Sequence, residues 1–286
     1  MSLREVLLDT LEDQGQAGKI HGVVVGVVTN NKDPENLGRV KVKFPWLQAS
    51  DESYWARIAT LMAGSDRGSF FLPEAGDHVL VAFEHGDINY PFVLGALWTS
   101  NQRPPFDNVD GKNNIRAIKS RSGHLLIFDD NQEEKKEKII IRTNKGHEII
   151  LNDGAGEILM RTKGGHQAVL DDAKKEVSIN SKEGNQLCLN DESHRIKLST
   201  TDGHMMVLDD ESKAITITDS TSENTLDIAY GEHKITITSK NGDIKLEAPK
   251  GKIALSAKEI QTSSKASTKI ESIGTMVIKG TVVKIN

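Results

Sequence analysis

Hydrophobic and polar positions alternate along most of this chain, and in its second half the alternation repeats. Gly123-His124, Gly146-His147, Gly165-His166, Gly184-Asn185 and Gly203-His204 each open a short apolar/polar run. Each run closes on an acidic or amide pair: Asp129-Asp130, Asn152-Asp153, Asp171-Asp172, Asn190-Asp191 and Asp209-Asp210. The glycines step by 23 and then three times by 19, and a fixed period of this kind is the signature of a stacked architecture. Each unit holds two strands of period two. The first strand presents the pairs Leu126/Phe128, Ile149/Leu151, Ala168/Leu170, Leu187/Leu189 and Met206/Leu208. The second presents Ile139/Ile141, Ile158/Met160, Val177/Ile179, Ile196/Leu198 and Ile215/Ile217. The pattern continues through Leu226/Ile228, Ile235/Ile237, Ile244/Leu246 and Ile253/Leu255 and ends at Ile278, Val283 and Ile285.

Two inward apolar side chains per strand bury too little surface to offset the conformational entropy of ordering a lone solenoid. The pattern therefore predicts an all-β chain whose copies intertwine about one axis as a β-helix. Three copies give a triangular prism with a narrow aliphatic core formed by Ile139, Ile141, Ile158, Ile179, Leu187, Leu189, Ile196, Leu198, Ile215 and Ile217. About 17 strands per chain at roughly 4.8 Å each make a rod on the order of 80 Å long.

Upstream, residues 21–100 read as five short strands: His21 to Val28, Arg39 to Phe44, Tyr54 to Thr60, His78 to Glu84, and Tyr90 to Leu97. Val40, Val42 and Phe44 alternate with Arg39, Lys41 and Lys43, and Val79, Val81 and Phe83 share a face. Turn signals such as Asp33-Pro34, Pro73 and Gly76-Asp77 separate the strands. Five short strands in so few residues fit an OB-type barrel. The organisation expected is an N-terminal lead over 1–20, a barrel over 21–100, a linker over 101–120 around Pro104-Pro105, and a β-helical needle over 121–286. In the lead, Leu3, Leu7 and Leu11 share one helical face that Gly15 ends, which reads as a docking helix or a locally packed one.

Composition narrows the function classes. The net charge of −5 and dispersed Lys and Arg give no basic footprint, which argues against a nucleic-acid partner. Trp46, Tyr54, Trp55 and Trp98 are then read as core or interchain contacts rather than as base-stacking groups. Only 5% of residues are aromatic, which suits a narrow aliphatic core. The lone Cys188 excludes an internal disulfide. No N-terminal apolar run reads as a signal peptide, which predicts assembly in the cytoplasm.

Residue types that can carry chemistry also recur along the repeat. His124, His147, His166 and His204 recur at equivalent places, but Asn185 and Asn224 stand at the same register. A metal column does not tolerate that exchange, so these residues are read as polar strand starts that hydrogen-bond across chains. The Asp and Asn pairs lack the glycine-rich nonapeptide of calcium-binding rolls and read as turn residues that bond their own backbone or adopt left-handed conformations. No Ser-His-Asp spacing is present. No catalytic, cofactor or metal site is expected.

The barrel region resembles the baseplate-V family of contractile-tail phages and the matching part of VgrG proteins. The resemblance is carried by Gly38-Arg39-Val40-Lys41-Val42-Lys43-Phe44-Pro45-Trp46, Trp55-Ala56-Arg57, Gly68 to Asp77 (with Gly76-Asp77 at its end), Val79 to Glu84, Gly86-Asp87, Pro91 and Val93-Leu94-Gly95. It also includes the C-terminal run from Gly280 through Val282 and Val283 to Ile285 and Asn286. It implies a homotrimer with an OB-type collar and a needle, a non-enzymatic spike driven through a target envelope by a contracting sheath. It further implies a PAAR-type tip protein docked at Val282, Val283, Ile285 and Asn286, and delivery as part of a phage tail or injection particle. Only about 20 residues precede the barrel, so a separate hub protein is expected. The 100–120 interval is too short for an inserted lysozyme. No His-x-His lies near the C-terminus, which disfavours an intrinsic metal tip. A trimeric receptor-binding or polysaccharide-degrading tail protein is the alternative.

Overall fold

The computed structural model describes residues 19–46, 52–133 and 136–284. The chain divides into two compact units, 1–131 and 132–286.

In the first unit, β1 (Val23–Asn30), β2 (Lys41–Lys43), β3 (Arg57–Ile58), β6 (His78–Phe83) and β7 (Pro91–Leu97) form one sheet in the order β2-β1-β6-β7-β3. A minor hairpin, β4 (Ala63–Gly64) with β5 (Arg67–Gly68), stands apart from it. The Val40–Ala56 bridge, with reciprocal N–H···O bonds of 3.0 and 2.7 Å, joins the two ends of the sheet and closes a five-stranded barrel. The alternation in the sequence dictates its interior: Val28, Val40, Val42, Phe44, Ala56, Val79, Val81, Phe83 and Val93 form one buried cluster. Gly26 is required where β1 crosses β2, because a Cβ there would lie 2.3 Å from Val42 Cγ1. The unit also contains the hairpin of β8 (Ile115–Lys119) and β9 (Leu125–Asp129).

The second unit is an antiparallel meander of five- and six-residue strands. These are β10 (Lys138–Arg142), β11 (Glu148–Asn152), β12 (Glu157–Arg161), β13 (Gln167–Asp171), β14 (Glu176–Asn180), β15 (Gln186–Asn190), β16 (Arg195–Ser199), β17 (Met205–Asp209), β18 (Ala214–Thr218), β19 (Asn224–Ala229) and β20 (Lys234–Ser239). Each strand pairs with the next in sequence. No strand occurs among the described residues after Ser239, so the stack expected to run to the C-terminus is built within one chain only as far as β20. The lead helix expected over 1–15 lies outside the described residues.

Two alternating turn types account for the 19-residue period. At one end of the strands stands Ser/Thr-x-x-Gly-His/Asn. In Thr162 to His166 the Thr162 N–H donates to the His166 carbonyl (2.9 Å), the Gly165 N–H to the Thr162 carbonyl (3.0 Å), and the His166 N–H to Thr162 Oγ1 (3.1 Å). The same three bonds recur in Thr143–His147, Ser181–Asn185 and Thr200–His204. The turn glycines Gly146, Gly165, Gly184 and Gly203 have φ of +88 to +98°, a region that disfavours a Cβ. At the other end, the strand-final Asn152, Asp171, Asn190 and Asp209 accept the N–H three residues on, at 2.8–3.1 Å. The left-handed residue there is the one after that, Gly156, Lys175, His194 or Lys213, and not the Asp or Asn itself.

Candidate functional site

The meander separates its side chains into two chemically different faces. Second and fourth strand positions (third and fifth in β19) project to one side, and register places them directly opposite one another. Ile139 faces Leu151, Leu151 faces Ile158, and Ile158 faces Leu170. Ile179 faces Leu187, Leu187 faces Leu198, and Leu189 faces Ile196. Ile217 faces Met206 and then Leu226, while Ile215 faces Leu208 and then Ile228. Every inward pair from Ile139 to Ile237 thereby joins one two-column ladder with no charged member. In the single chain this ladder is open to solvent: Ile141, Ile179, Leu198 and Ile237 are 46, 54, 53 and 59% exposed. An apolar strip of this extent is far beyond what scattered surface residues produce and marks an interaction face.

The alternate positions project to the other side, where charges are paired. Glu148 lies between Arg142 and Arg161 and bonds to both. The Arg161 guanidinium and then that of Arg142 hold its carboxyl below the usual range despite burial. Arg195 pairs with Asp209 across β16 and β17. The middle column runs from aliphatic Ile140, Ile150, Leu159 and Val169 to Ser178, Cys188 and Lys197. Partial burial pushes the Cys188 thiol up.

The two lateral edges are stitched. His147 Nδ1 accepts the Lys163 N–H (3.4 Å), His166 Nδ1 the Lys182 N–H (3.2 Å), and Asn185 Oδ1 the Thr201 N–H (3.0 Å). Each bond reaches 16 residues on, to the next turn on the same edge. The repeated His/Asn therefore links successive turns of its own chain, whereas a bond across chains had been expected. Asn substitutes for His because Oδ1 occupies the place of the accepting ring nitrogen. Asn224 departs from this role and donates to Asp219 Oδ2 at 2.7 Å. On the opposite edge the Asp172, Asp191 and Asp210 N–H groups donate to the carbonyls of Gly156, Lys175 and His194 at 2.9–3.2 Å.

In the barrel unit the predicted motif residues serve the scaffold. Asp33 is the organising group: it accepts the N–H groups of Glu35, Leu37 and Arg39 and the Arg39 guanidinium at 2.8–3.3 Å. Its carboxyl is held far below the usual range, chiefly by Arg39 and against burial. Gly38, Gly76 and Gly86 all have positive φ, at +70, +97 and +76°. Asp77 accepts the Glu74 N–H (2.8 Å) and Asp87 the Asn89 N–H (2.9 Å), each closing a turn. Pro91 opens β7 opposite Phe83, and Gly95 lies opposite Leu80 beside a register shift. Arg39 and Lys41 approach the Trp55 ring (6.0 and 5.7 Å), and Arg57 approaches Phe92 (5.4 Å). Trp46, following Pro45, stacks on Phe44 at 5.3 Å but is half-exposed. Tyr54 and Trp98 are exposed, so these aromatics lie outside the barrel core. Sequence reasoning also missed the apolar lip of Leu61, Met62, Phe70 and Phe71, all more than half exposed around the β4–β5 hairpin. Of the residues assigned to tip docking, Val282 and Val283 are exposed, while Ile285 and Asn286 lie outside the described residues.

Among the described residues no group of His, Cys, Asp and Glu side chains is placed to hold a metal ion, and no helix is long and apolar enough to cross a membrane.

Residues 24–98 match the family model of the type VI secretion system/phage-baseplate injector OB domain. Among curated proteins the chain is 30% identical over 149 residues to the type VI secretion system spike protein VgrG3 of Vibrio cholerae, covering 49% of this chain and 14% of that one. It is 36% identical over 102 residues to the spike protein VgrG2a of Pseudomonas aeruginosa (34% of this chain, 12% of that one). It is 29% identical over 145 residues to the actin cross-linking toxin VgrG1 of Vibrio cholerae (48% and 13%). The chain thus spans only a small part of the length of these relatives. The chain is similar over residues 24–98 to the injector OB domain of type VI secretion systems and phage baseplates, and over up to half its length to VgrG-type spike proteins.

Proposed function

We propose that three copies of this chain form the central spike of a contractile injection machine, with no enzymatic role of its own. The observation that carries this is the uncharged two-column ladder from Ile139 to Ile237, open to water in the single chain and backed by a charge-paired face. Three such faces directed at one axis bury the ladder and leave the paired charges of Glu148 and Asp209 outward. The resemblance to VgrG spikes supports the same reading. In this reading the lead is 1–20, the collar 21–100, the linker 101–120, which ends in the β8 strand rather than in irregular chain, and the needle 121–286. The collar adjoins a hub, the C-terminal end carries a PAAR-type tip through Val282, Val283, Ile285 and Asn286, and the particle meets the target envelope on contraction. The net charge of −5 and dispersed Lys and Arg argue against a nucleic-acid role for the collar.

Sedimentation equilibrium tests the assembly and should return three times the 31.4 kDa chain mass. Co-purification with a PAAR-type tip protein tests the end: Val282→Asp/Val283→Asp should abolish capture while leaving the trimer intact. A monomeric chain refutes the spike, and undiminished capture refutes the tip assignment.

A further inference from the structure

We infer that Asn241 is a site of spontaneous chemical modification: the backbone nitrogen of Gly242 displaces its side-chain amide, and the residue ends as aspartate or isoaspartate, which releases the last laced turn on that edge of the meander. The reaction needs one chain and water, so it does not depend on the assembled state.

Asn241-Gly242 is the single Asn-Gly pair of the chain. Elsewhere asparagine precedes a residue with a side chain, as in Asn36-Leu37, Asn144-Lys145, Asn185-Gln186 and Asn190-Asp191. A Cβ on the following residue stands in the path of ring closure, and glycine removes it. Asp110-Gly111, Asp153-Gly154 and Asp202-Gly203 share the open glycine, but a carboxylate ionised at neutral pH is a poor electrophile.

In the regular turns the glycine nitrogen is engaged. The Gly146, Gly165, Gly184 and Gly203 N–H groups donate to the carbonyls of Thr143, Thr162, Ser181 and Thr200 at 2.9–3.1 Å, with φ of +88 to +98°. The Gly111 N–H is held likewise by the Asn108 carbonyl at 3.0 Å. Gly242 departs from them. Its φ is not positive, and among the described residues its N–H donates to no backbone carbonyl. Asn241 and Gly242 are both exposed. The attacking nitrogen is therefore unprotected, its backbone is not locked in the usual turn, and water reaches the pair.

The step balances with water alone. The Gly242 nitrogen bonds to Asn241 Cγ, the Cγ–Nδ2 bond breaks, and Nδ2 leaves as ammonia with the proton that Gly242 gives up. Water then opens the cyclic imide. Attack at Cγ gives aspartate; attack at the backbone carbonyl gives isoaspartate, whose chain runs through Cγ and whose α-carboxylate is free. Either product puts a carboxylate where a donor stood. Asn241 Nδ2 donates to Glu223 Oε1 at 2.9 Å, so the new charge faces a like charge. Two further bonds tie the same segment to the turn below: the Lys240 N–H donates to the Glu223 carbonyl at 3.0 Å, and Lys240 Nζ to the Ser222 carbonyl at 2.9 Å. These are the last turn-to-turn links of this edge among the described residues, and the repulsion acts directly on them.

The test incubates the full chain in mildly alkaline buffer at body temperature and follows it by peptide mass spectrometry. Asn241 should gain the mass difference between OH and NH2 faster than any other asparagine. The main product should be isoaspartate, detected by methylation with an isoaspartate-specific carboxyl methyltransferase. Gly242→Ala should slow the conversion by roughly tenfold or more; its Cβ would lie 3.2 Å from Ser239 Oγ, a hydroxyl that can turn aside. Asn241→Asp supplies the charge without the chemistry. In that variant and in the converted protein the Lys240 amide should exchange hydrogen roughly tenfold faster than in fresh protein, while the Lys182 amide, bonded to His166, should not change. An Asn241 as persistent as Asn144, or equal rates in Gly242→Ala, overturns the inference. A Lys240 amide as protected in Asn241→Asp as in fresh protein overturns the release of the turn.

Discussion

Leu198→Asp separates a free-standing chain from an assembled one. Leu198 lies in β16 opposite Leu187 and Met206 on the apolar ladder, and 53% of it is exposed in the single chain. For a chain that functions alone, this is a surface substitution and changes stability by no more than about 0.5 kcal/mol. In the trimer the exposed half is covered. Burying a whole leucine is worth about 1.5–3 kcal/mol, so the covered half contributes about 1 kcal/mol per chain and about 3 kcal/mol per trimer. Leu198→Ala should lose about that much. Leu198→Asp adds three carboxylates with no cationic partner on the ladder, each costing several kcal/mol to desolvate. The sum is comparable with the whole stability of an ordinary domain, about 5–15 kcal/mol. Sedimentation velocity should show the trimer lost, while Lys197→Ala, one residue away on the opposite face, should sediment as the unsubstituted protein. If Leu198→Asp is trimeric with an unchanged melting temperature, the ladder is not the assembly surface.

Three further outcomes follow from individual contacts. His166→Ala removes the acceptor for the Lys182 N–H and should destabilise by about 0.5–1 kcal/mol per chain in denaturant titration; His166→Asn should recover most of it, as Asn185 already does at the next turn. Equal stabilities for the two variants would refute the turn-to-turn link. Asp33→Asn removes the buried carboxylate that receives the Arg39 guanidinium, leaves Arg39 only the exposed Glu35, and should lower the collar melting temperature by about 10 °C or more, read by calorimetry. For Asp219, burial raises the carboxyl pKa, but bonds from Asn224, Thr221 and the Glu223 N–H outweigh it and hold it at about 2, below its ordinary 3.8. A lowered folded-state pKa gives stability that is present above about pH 4 and lost as pH falls toward 2. Asp219→Asn should flatten that part of the acid-unfolding curve, and an unchanged curve would refute the assignment.

Much of this was legible because period and phase are arithmetic. The barrel strands followed from alternation such as Val40, Val42 and Phe44, and all three side chains are buried. The pairs from Ile139 to Ile237 were readable because a five-residue strand with one apolar face leaves two inward positions. What alternation does not encode is the partner of a side chain in another turn. His166 and Asn185 look like different chemistry and do the same work, because the bond needs only one acceptor atom at that height. Asp33 looked like a turn marker, since nothing local announces that a guanidinium six residues on will close over it. Left-handed Lys175, His194 and Lys213 were hidden for another reason. Asp or Asn at the strand end fixes the turn by accepting an N–H, and the strained conformation then falls four residues later on whichever residue is there. The end of the intrachain meander after Ser239 was not legible, because Ile244/Leu246 and Ile253/Leu255 carry on the same apolar alternation as the strands before them.

In the proposed spike this division between faces and edges has a mechanical consequence. From β10 to β20 every strand is bonded to its neighbours in the same chain, and both edges are laced turn to turn by bonds between residues 16 apart, so each wall is stiff along its own ladder. Cohesion between walls would rest on the apolar ladder, which is non-directional and lets walls slide or splay under load. The ladder then sets the resistance of the assembly to splaying, and a charge placed on it, as in Leu198→Asp, opens the walls while leaving each one intact.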